Sequence, residues 1–337
     1  MRVDGARGEG GGQVARVALA LAAATRREVT VENVRAARDP PGLKAGHVAA
    51  VRAIAEICDG EVEGAEMGST RVSLRPGVTV GGERAFAIET AGPVTLLLQA
   101  LLPAVVASRQ PFALHLRGGT NVLWAPSWDD AANVHFPLLA RLGIDAQGTL
   151  HRRGFFPQGG GEVTVEVAAP GLRGATLDEP GALRALEATV ASHGLPRHVV
   201  ERARISLVDG LREVGTVAVE EDVHRGPGTG FGVSVRAVCD HTVLGADAVG
   251  RKGVRVEDVV GQAVAGLRAE LASGAAVDVH QADQLPVFLA LGGGGSFTTR
   301  ALSSHAKTVL GLLPEFLPVR AEASRDGART RVVVSRA

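Results

Sequence analysis

Apolar residues at helical spacing alternate along this chain with short segments in which every second position is apolar, and the alternation recurs. Val14 to Ala24 reads as a helix, Glu28 to Val34 as a strand, Lys44 to Cys58 as a second helix, and Val62 to Leu74 as a hairpin. The same order returns in the helix Thr95 to Ala107, the strand Phe112 to Arg117, the helix Asp129 to Leu142 and a hairpin around Gln147 to Val167. A third pass runs through a helix from Asp283 to Leu291, a strand from Ser296 to Arg300 and a helix from Ser304 to Leu313. The strands Val319 to Ala323 and Thr330 to Ser335 complete it. The period is about 75 residues. One such unit cannot cover both faces of its sheet, so three packed together predict a large α/β domain, with helices inward or against a common core.

Residues 175–273 interrupt the period. They carry helix signals of their own (Pro196 to Arg204, Val256 to Ala272) and strand signals at Ala185 to Ala191, Ile205 to Val208, Gly215 to Glu220 and Gly232 to Cys239. The expected organisation is a large domain from 1–174 and 274–337, with a smaller α/β domain inserted over 175–273.

Composition narrows the class. With 337 residues, 45% of them apolar, the chain can bury a substantial core. No apolar run reaches the roughly 18 residues of a membrane span, and no signal peptide opens the chain, so the expectation is a cytoplasmic protein without membrane contact. Two cysteines, Cys58 and Cys239, suit neither a disulfide framework nor a cysteine metal site. Formal charge is balanced and aromatics make up 3%, which argues against wrapping a long nucleic acid or stacking many bases; nucleic-acid contact should be local. The cations are nearly all arginine, which suits bidentate phosphate recognition, although GC-rich coding gives the same bias.

Candidate chemistry gathers at few places. Gly5, Gly8, Gly10, Gly11 and Gly12 precede the first helix, so backbone N–H groups and a helix N-terminus would face a ligand there, beside Glu9, Gln13 and Arg16. Neither a dinucleotide fingerprint nor a Walker loop fits: the strand before is too short and no Gly-Lys-Ser/Thr follows. Glu9 would repel phosphate unless a divalent cation sits between them, and a solvated glycine-rich turn explains the stretch equally well. Arg35, Arg38, Lys44 and His47 flank Pro40-Pro41-Gly42 and could hold an anionic end, or form an ordinary solvated loop. No histidine pair has the spacing of a helical zinc site. His305 falls in the first turn of a helix, where protonation is disfavoured and the imidazole stays nucleophilic, or simply packs at a helix start. His280-Gln281-Ala282-Asp283-Gln284 precedes an apolar helix, for which Asp283 is also a natural N-cap.

Taken in order, several motifs resemble the RNA 3′-terminal phosphate cyclase family over essentially the whole chain. They are Asp4-Gly-Ala-Arg-Gly-Glu-Gly-Gly-Gly-Gln13, Arg35-Ala-Ala-Arg-Asp-Pro-Pro-Gly-Leu43, Gly64-Ala-Glu-Met-Gly-Ser69, Gly118-Gly-Thr120, Leu195-Pro-Arg-His198, Ala282-Asp-Gln284 and Ser304-His305. The resemblance implies three βαβαββ-type repeats with a small domain inserted before the last. It implies an ATP-dependent cyclisation of RNA 3′-phosphate ends to 2′,3′-cyclic phosphates through a histidine–AMP adduct and an RNA–adenylate. By the same resemblance His305 would be the nucleophile, and Gln99 with His280, Gln281, Ala282, Asp283 and Gln284 would contact the nucleotide. Glu9 would hold a divalent cation (Mg²⁺ or Mn²⁺) against the ATP phosphates, and Arg16, Arg35 and Arg38 would neutralise phosphate charge. No obligate protein partner is implied. Relatives can carry an aromatic residue where His280 stands, which puts base stacking in question. A catalytically inactive cyclase-like ribosome-assembly factor would lack the histidine present here. An enolpyruvyl transferase shares the repeated unit but has no use for the insert and histidine. A nicotinamide dehydrogenase is disfavoured by the short first strand.

Overall fold

The computed structural model describes residues 1–8, 10–89, 91–169, 171–224 and 229–337. The first unit is β1 (Arg2–Asp4), α1 (Gly12–Thr25), β2 (Val29–Glu32), α2 (Ala45–Ile57), β3 (Glu61–Glu63) and β4 (Val72–Arg75). The second is β5 (Gly82–Ala87), α3 (Val94–Ser108), β6 (Phe112–Gly118), a helical stretch, β7 (Ala146–Arg152) and β8 (Gly161–Val167). That stretch starts as α4 (Trp128–Asp130), passes through a π-helical turn at Ala131–His135 and continues as α5 (Phe136–Arg141). Next comes β9 (Ala175–Leu177), then β10 (Leu183–His193), α6 (Arg197–Leu211), β11 (Val217–His224), β12 (Gly230–Cys239), β13 (Val243–Val249) and α7 (Val256–Ser273). The chain closes with α8 (Leu285–Leu291), β14 (Gly295–Thr299), α9 (Ser304–Phe316), β15 (Val319–Asp326) and β16 (Arg329–Arg336).

Three sheets have one topology: β1-β2-β4-β3, β5-β6-β8-β7 and β9-β14-β16-β15. In each, the first pair is parallel and the other two antiparallel, as in Val3 opposite Val31 and Phe297 opposite Leu177. Every unit therefore opens with a strand. Strand β5 escaped the sequence pattern because it is a largely exposed edge, and β9 because three residues show no periodicity.

Strands β6 and β8 alternate between buried and more exposed positions, as expected where one face meets helices and the other meets water. The helices lie together inside: α1 and α2 pack on α3, α9 on α1, and α8 on both α3 and α9. Helix α3 is apolar almost all round because it has neighbours on most sides. One continuous apolar core joins the three units.

The segment from β10 to α7 builds a fourth sheet, ordered β11-β10-β12-β13, with a core of its own under α6 and α7. Residues 175–177, expected within the insert, instead pair with β14, so the insertion falls inside the third unit between its first strand and first helix. Ile205 to Val208, expected as a strand, lie in α6. Buried Val200, Ala203, Leu207 and Leu211 follow the helical spacing, while Ile205 and Val208 face out, so the local apolar run was the misleading signal. No helix among the described residues is long and apolar enough to cross a membrane.

Candidate active site

The glycine loop sits between α9 and the turn that follows β2. Gly8, at φ 61°, lies against α9, where an added Cβ would overlap Thr308 Oγ1. Gly12 faces the His47 ring in the same way. Each permits a close approach that a Cβ would block. Thr308 Oγ1 donates to the Ser304 carbonyl (2.9 Å), one turn back on α9. Arg7 forms an ion pair with Glu315, and Arg27 donates to the Glu315 and Phe316 carbonyls (2.6 and 3.1 Å), so the loop and the end of α1 hold α9 along its length. Gln13 Oε1, in the first turn of α1, is buried and accepts no hydrogen bond among the described residues. A bare acceptor beside this loop suits a donor or a cation. Glu9 lies outside the described residues, and among those described no group of three or more His, Cys, Asp or Glu side chains could hold a metal ion.

Arg16, Arg35 and Lys44 all act on the charge of His47. His47 Nδ1 accepts the Lys44 backbone N–H (3.1 Å). Burial, then the charges of Arg16, Arg35 and Lys44, depress the His47 pKa to about 4. Arg35 is buried, and its Nη1 donates to the carbonyls of Pro40 (3.0 Å) and Gly42 (2.6 Å), bracing the turn. Arg38 is exposed on the same turn, and Arg16 is half-buried on α1. Sequence spacing had grouped His47 with this cluster, but its place against Gly12 needed the fold.

His305 is the second residue of α9 and is half-buried. Ser303 caps this helix: its hydroxyl accepts the Ala306 N–H (2.9 Å) and donates to Asp283 Oδ1 (2.5 Å). Asp283 thus serves the neighbouring helix rather than capping α8, whose preceding residues Gln281–Asp283 form a 3₁₀ turn. Burial raises the Asp283 pKa, which the Ser303 hydrogen bond and the nearby His305 and His280 oppose. Gln284 shares a narrow cleft with Gln99, Thr95, Pro126, Asp130 and His135. His280 is exposed at the turn's start. Gln281 and Ala282 are fully buried and face the core.

A buried polar cluster lay beyond sequence reasoning because its members are far apart in the chain. Arg153 makes a two-pronged pair with Asp129 (2.7 and 2.8 Å) and a second pair with Asp222 of β11. Burial alone would lower the Arg153 pKa, but Asp129 and Asp222 raise it, so it stays charged. Beside it, Asp130, Asp247 and Asp278 all have raised pKa values, chiefly from burial; in Asp130 the carboxylates of Asp247, Asp278 and Asp129 add to the effect. A buried acid with a raised pKa binds more protons folded than unfolded, so its stability contribution is lost as pH rises above 3.8 through the folded value. Asp130→Asn, neutral at every pH, should gain on wild type as pH rises above 3.8 toward neutrality. Melting temperatures measured across that range check this, and a constant difference would refute it.

The fold defines a class: α/β proteins of three repeated βαβαββ units with a fourth sheet let into the third. Within that class, this chain belongs to the RNA 3′-terminal phosphate cyclase family, whose sequence profile matches residues 7–323. It is 41% identical to the RNA 3′-terminal phosphate cyclase of Nitrosospira multiformis over 336 residues, 98% of this chain and 95% of that one. Among solved structures, the enolpyruvyl transferase NikO from Streptomyces tendae aligns with 99% of this chain at 14% identity and a TM-score of 0.30. The alignment spans 65% of the NikO chain's length.

Proposed function

We propose that this enzyme uses ATP to convert an RNA 3′-phosphate into a 2′,3′-cyclic phosphate, with His305 as the nucleophile. The observation that supports the reading is the seating of Gly8 against Thr308, whose hydroxyl reaches back to the Ser304 carbonyl beside His305. A phosphate monoester has no good leaving group of its own. His305 would attack the α-phosphorus of ATP and release pyrophosphate, after which AMP passes to the RNA 3′-phosphate. The adjacent 2′-hydroxyl then attacks the activated phosphorus and expels AMP, a step that gains from being intramolecular.

Arg16 and Arg38 would supply charge to the phosphates, with Arg35 holding the turn that carries Arg38. Gln99, His280, Asp283 and Gln284 would contact the nucleoside. Glu9 would help hold a divalent cation, which would offset phosphate charge as the histidine approaches. Glu9→Ala should therefore require a higher metal concentration for half-maximal adenylylation, by roughly tenfold or more, with an unchanged melting temperature. An unaltered metal titration would remove Glu9 from the site.

The proposal is tested by incubating a 3′-phosphorylated oligonucleotide with the enzyme, ATP and Mg²⁺ or Mn²⁺. The product should resist phosphatase and migrate as a 2′,3′-cyclic phosphate, with AMP formed in equal amount. RNA left phosphatase-sensitive under every condition overturns it. A ribosome-assembly scaffold is the second reading, and the presence of His305 weighs against it.

A further inference from the structure

Of the five residues in 280–284, Gln281 has its side chain fully buried and engaged. Its Nε2 donates to Asp130 Oδ2 (2.9 Å), and its Oε1 lies 2.8 Å from His135 Nδ1. With the Gln281 amide nitrogen donating to Asp130, its oxygen accepts from His135, so Nδ1 carries the proton. That agrees with a neutral His135, whose pKa burial lowers to about 4. The Gln281 backbone N–H is held as well. Asp278 Oδ1 accepts it (2.9 Å) together with that of His280 (3.0 Å).

The inserted sheet grips this segment from behind. The Gly245 N–H of β13 donates to Asp278 Oδ2 (3.1 Å), and Thr242 Oγ1 donates to the Ala276 carbonyl (2.5 Å). Asp247 Oδ2 accepts the Ser127 N–H (2.7 Å) at the start of α4, the helix that carries Asp130. The turn at 281–283 is therefore fixed by the second unit through Gln281 and by the insert through Asp278. What it presents outward is Asp283, bonded to the cap of the His305 helix, and Gln284, in the cleft with Gln99.

We infer that Gln281 is a positioning residue, its side chain aligning Asp283 and Gln284 for the nucleotide without touching it, and that the inserted sheet is part of the same brace. This rests on the reading of 280–284 as a nucleotide-contacting segment. A satisfied buried network of this kind rigidifies what it holds, and removing one partner leaves another buried group unpaired.

The test measures ATP dependence of adenylylation together with melting temperature. Gln281→Leu keeps the bulk and removes both hydrogen bonds; it should raise KM for ATP about tenfold, with kcat within about twofold. Asp130→Leu should do the same, whereas Asp130→Asn, which keeps the acceptor, should restore KM to near wild type. Thr242→Val, remote from any nucleotide, should raise KM by a smaller factor. If Gln281→Leu lowers only the melting temperature and the active fraction, with KM unchanged, the inference is wrong. Gln99→Ala separates the two levels. A raised KM there with none in Gln281→Leu sinks the positioning role alone, and no change in either removes the cleft from the nucleotide site.

Discussion

Replacing His305 with alanine should eliminate the covalent protein–AMP adduct and reduce cyclisation by at least about a thousandfold, because the nucleophile is the one group whose loss stops the bond-making sequence at its first step. Incubation with α-labelled ATP, followed by gel separation and peptide mapping, measures the adduct directly. In wild type the label should map to the N-terminal turn of α9. Protein stability should change little, since Ser303 caps α9 and Arg7, Arg27 and the Gly8 contact hold the helix. An adduct that persists in His305→Ala, or one that never forms in wild type, would refute the proposed chemistry.

The largest effect on stability is expected from Arg153→Ala. Arg153 is buried and joins Asp129 of α4 to Asp222 of β11. Removing it leaves the carboxylates of Asp129 and Asp222 without the cation they share, a loss of about 3–5 kcal/mol. Urea unfolding checks this through the shift in midpoint at constant slope. Arg153→Met should lose a similar amount despite its similar length, because the cost lies in the unpaired acids and not in volume. A change below about 1 kcal/mol would show that water reaches the pair.

Sequence periodicity was a good guide where an element has one dry face. Strands β6 and β8 were legible because their burial repeats at the period of the element. It failed for the exposed edge β5 and for the three-residue β9, which have no such face. In α6 a local run of Ile205, Leu207 and Val208 outweighed the longer helical spacing. At the candidate site, the glycine loop, the Arg35 turn and His305 stood out through composition and neighbouring residues, whereas their convergence depends on the contact of α9 with α1. The roles of Asp129, Asp130, Arg153, Asp247 and Asp278 were invisible, because each is an ordinary acid or base until the second unit, the insert and the third unit meet. Resemblance grouped Gln281 with the nucleotide contacts; its inward amide became apparent only from burial.

The placement of the insert between β9 and α8 bears on how the chain matures. Strand β9 pairs in parallel with β14, aligning Ala175 with Gly295, and the whole inserted sheet is synthesised between them. The first two units have all their strands and helices before that point, while the third sheet can close only after the insert and α9 have emerged. Chain entropy favours an insert that folds early and draws its ends together, since this shortens the effective loop separating β9 from β14. The surface of Gly8, Arg7 and Arg27 thus waits through most of synthesis for its partner helix.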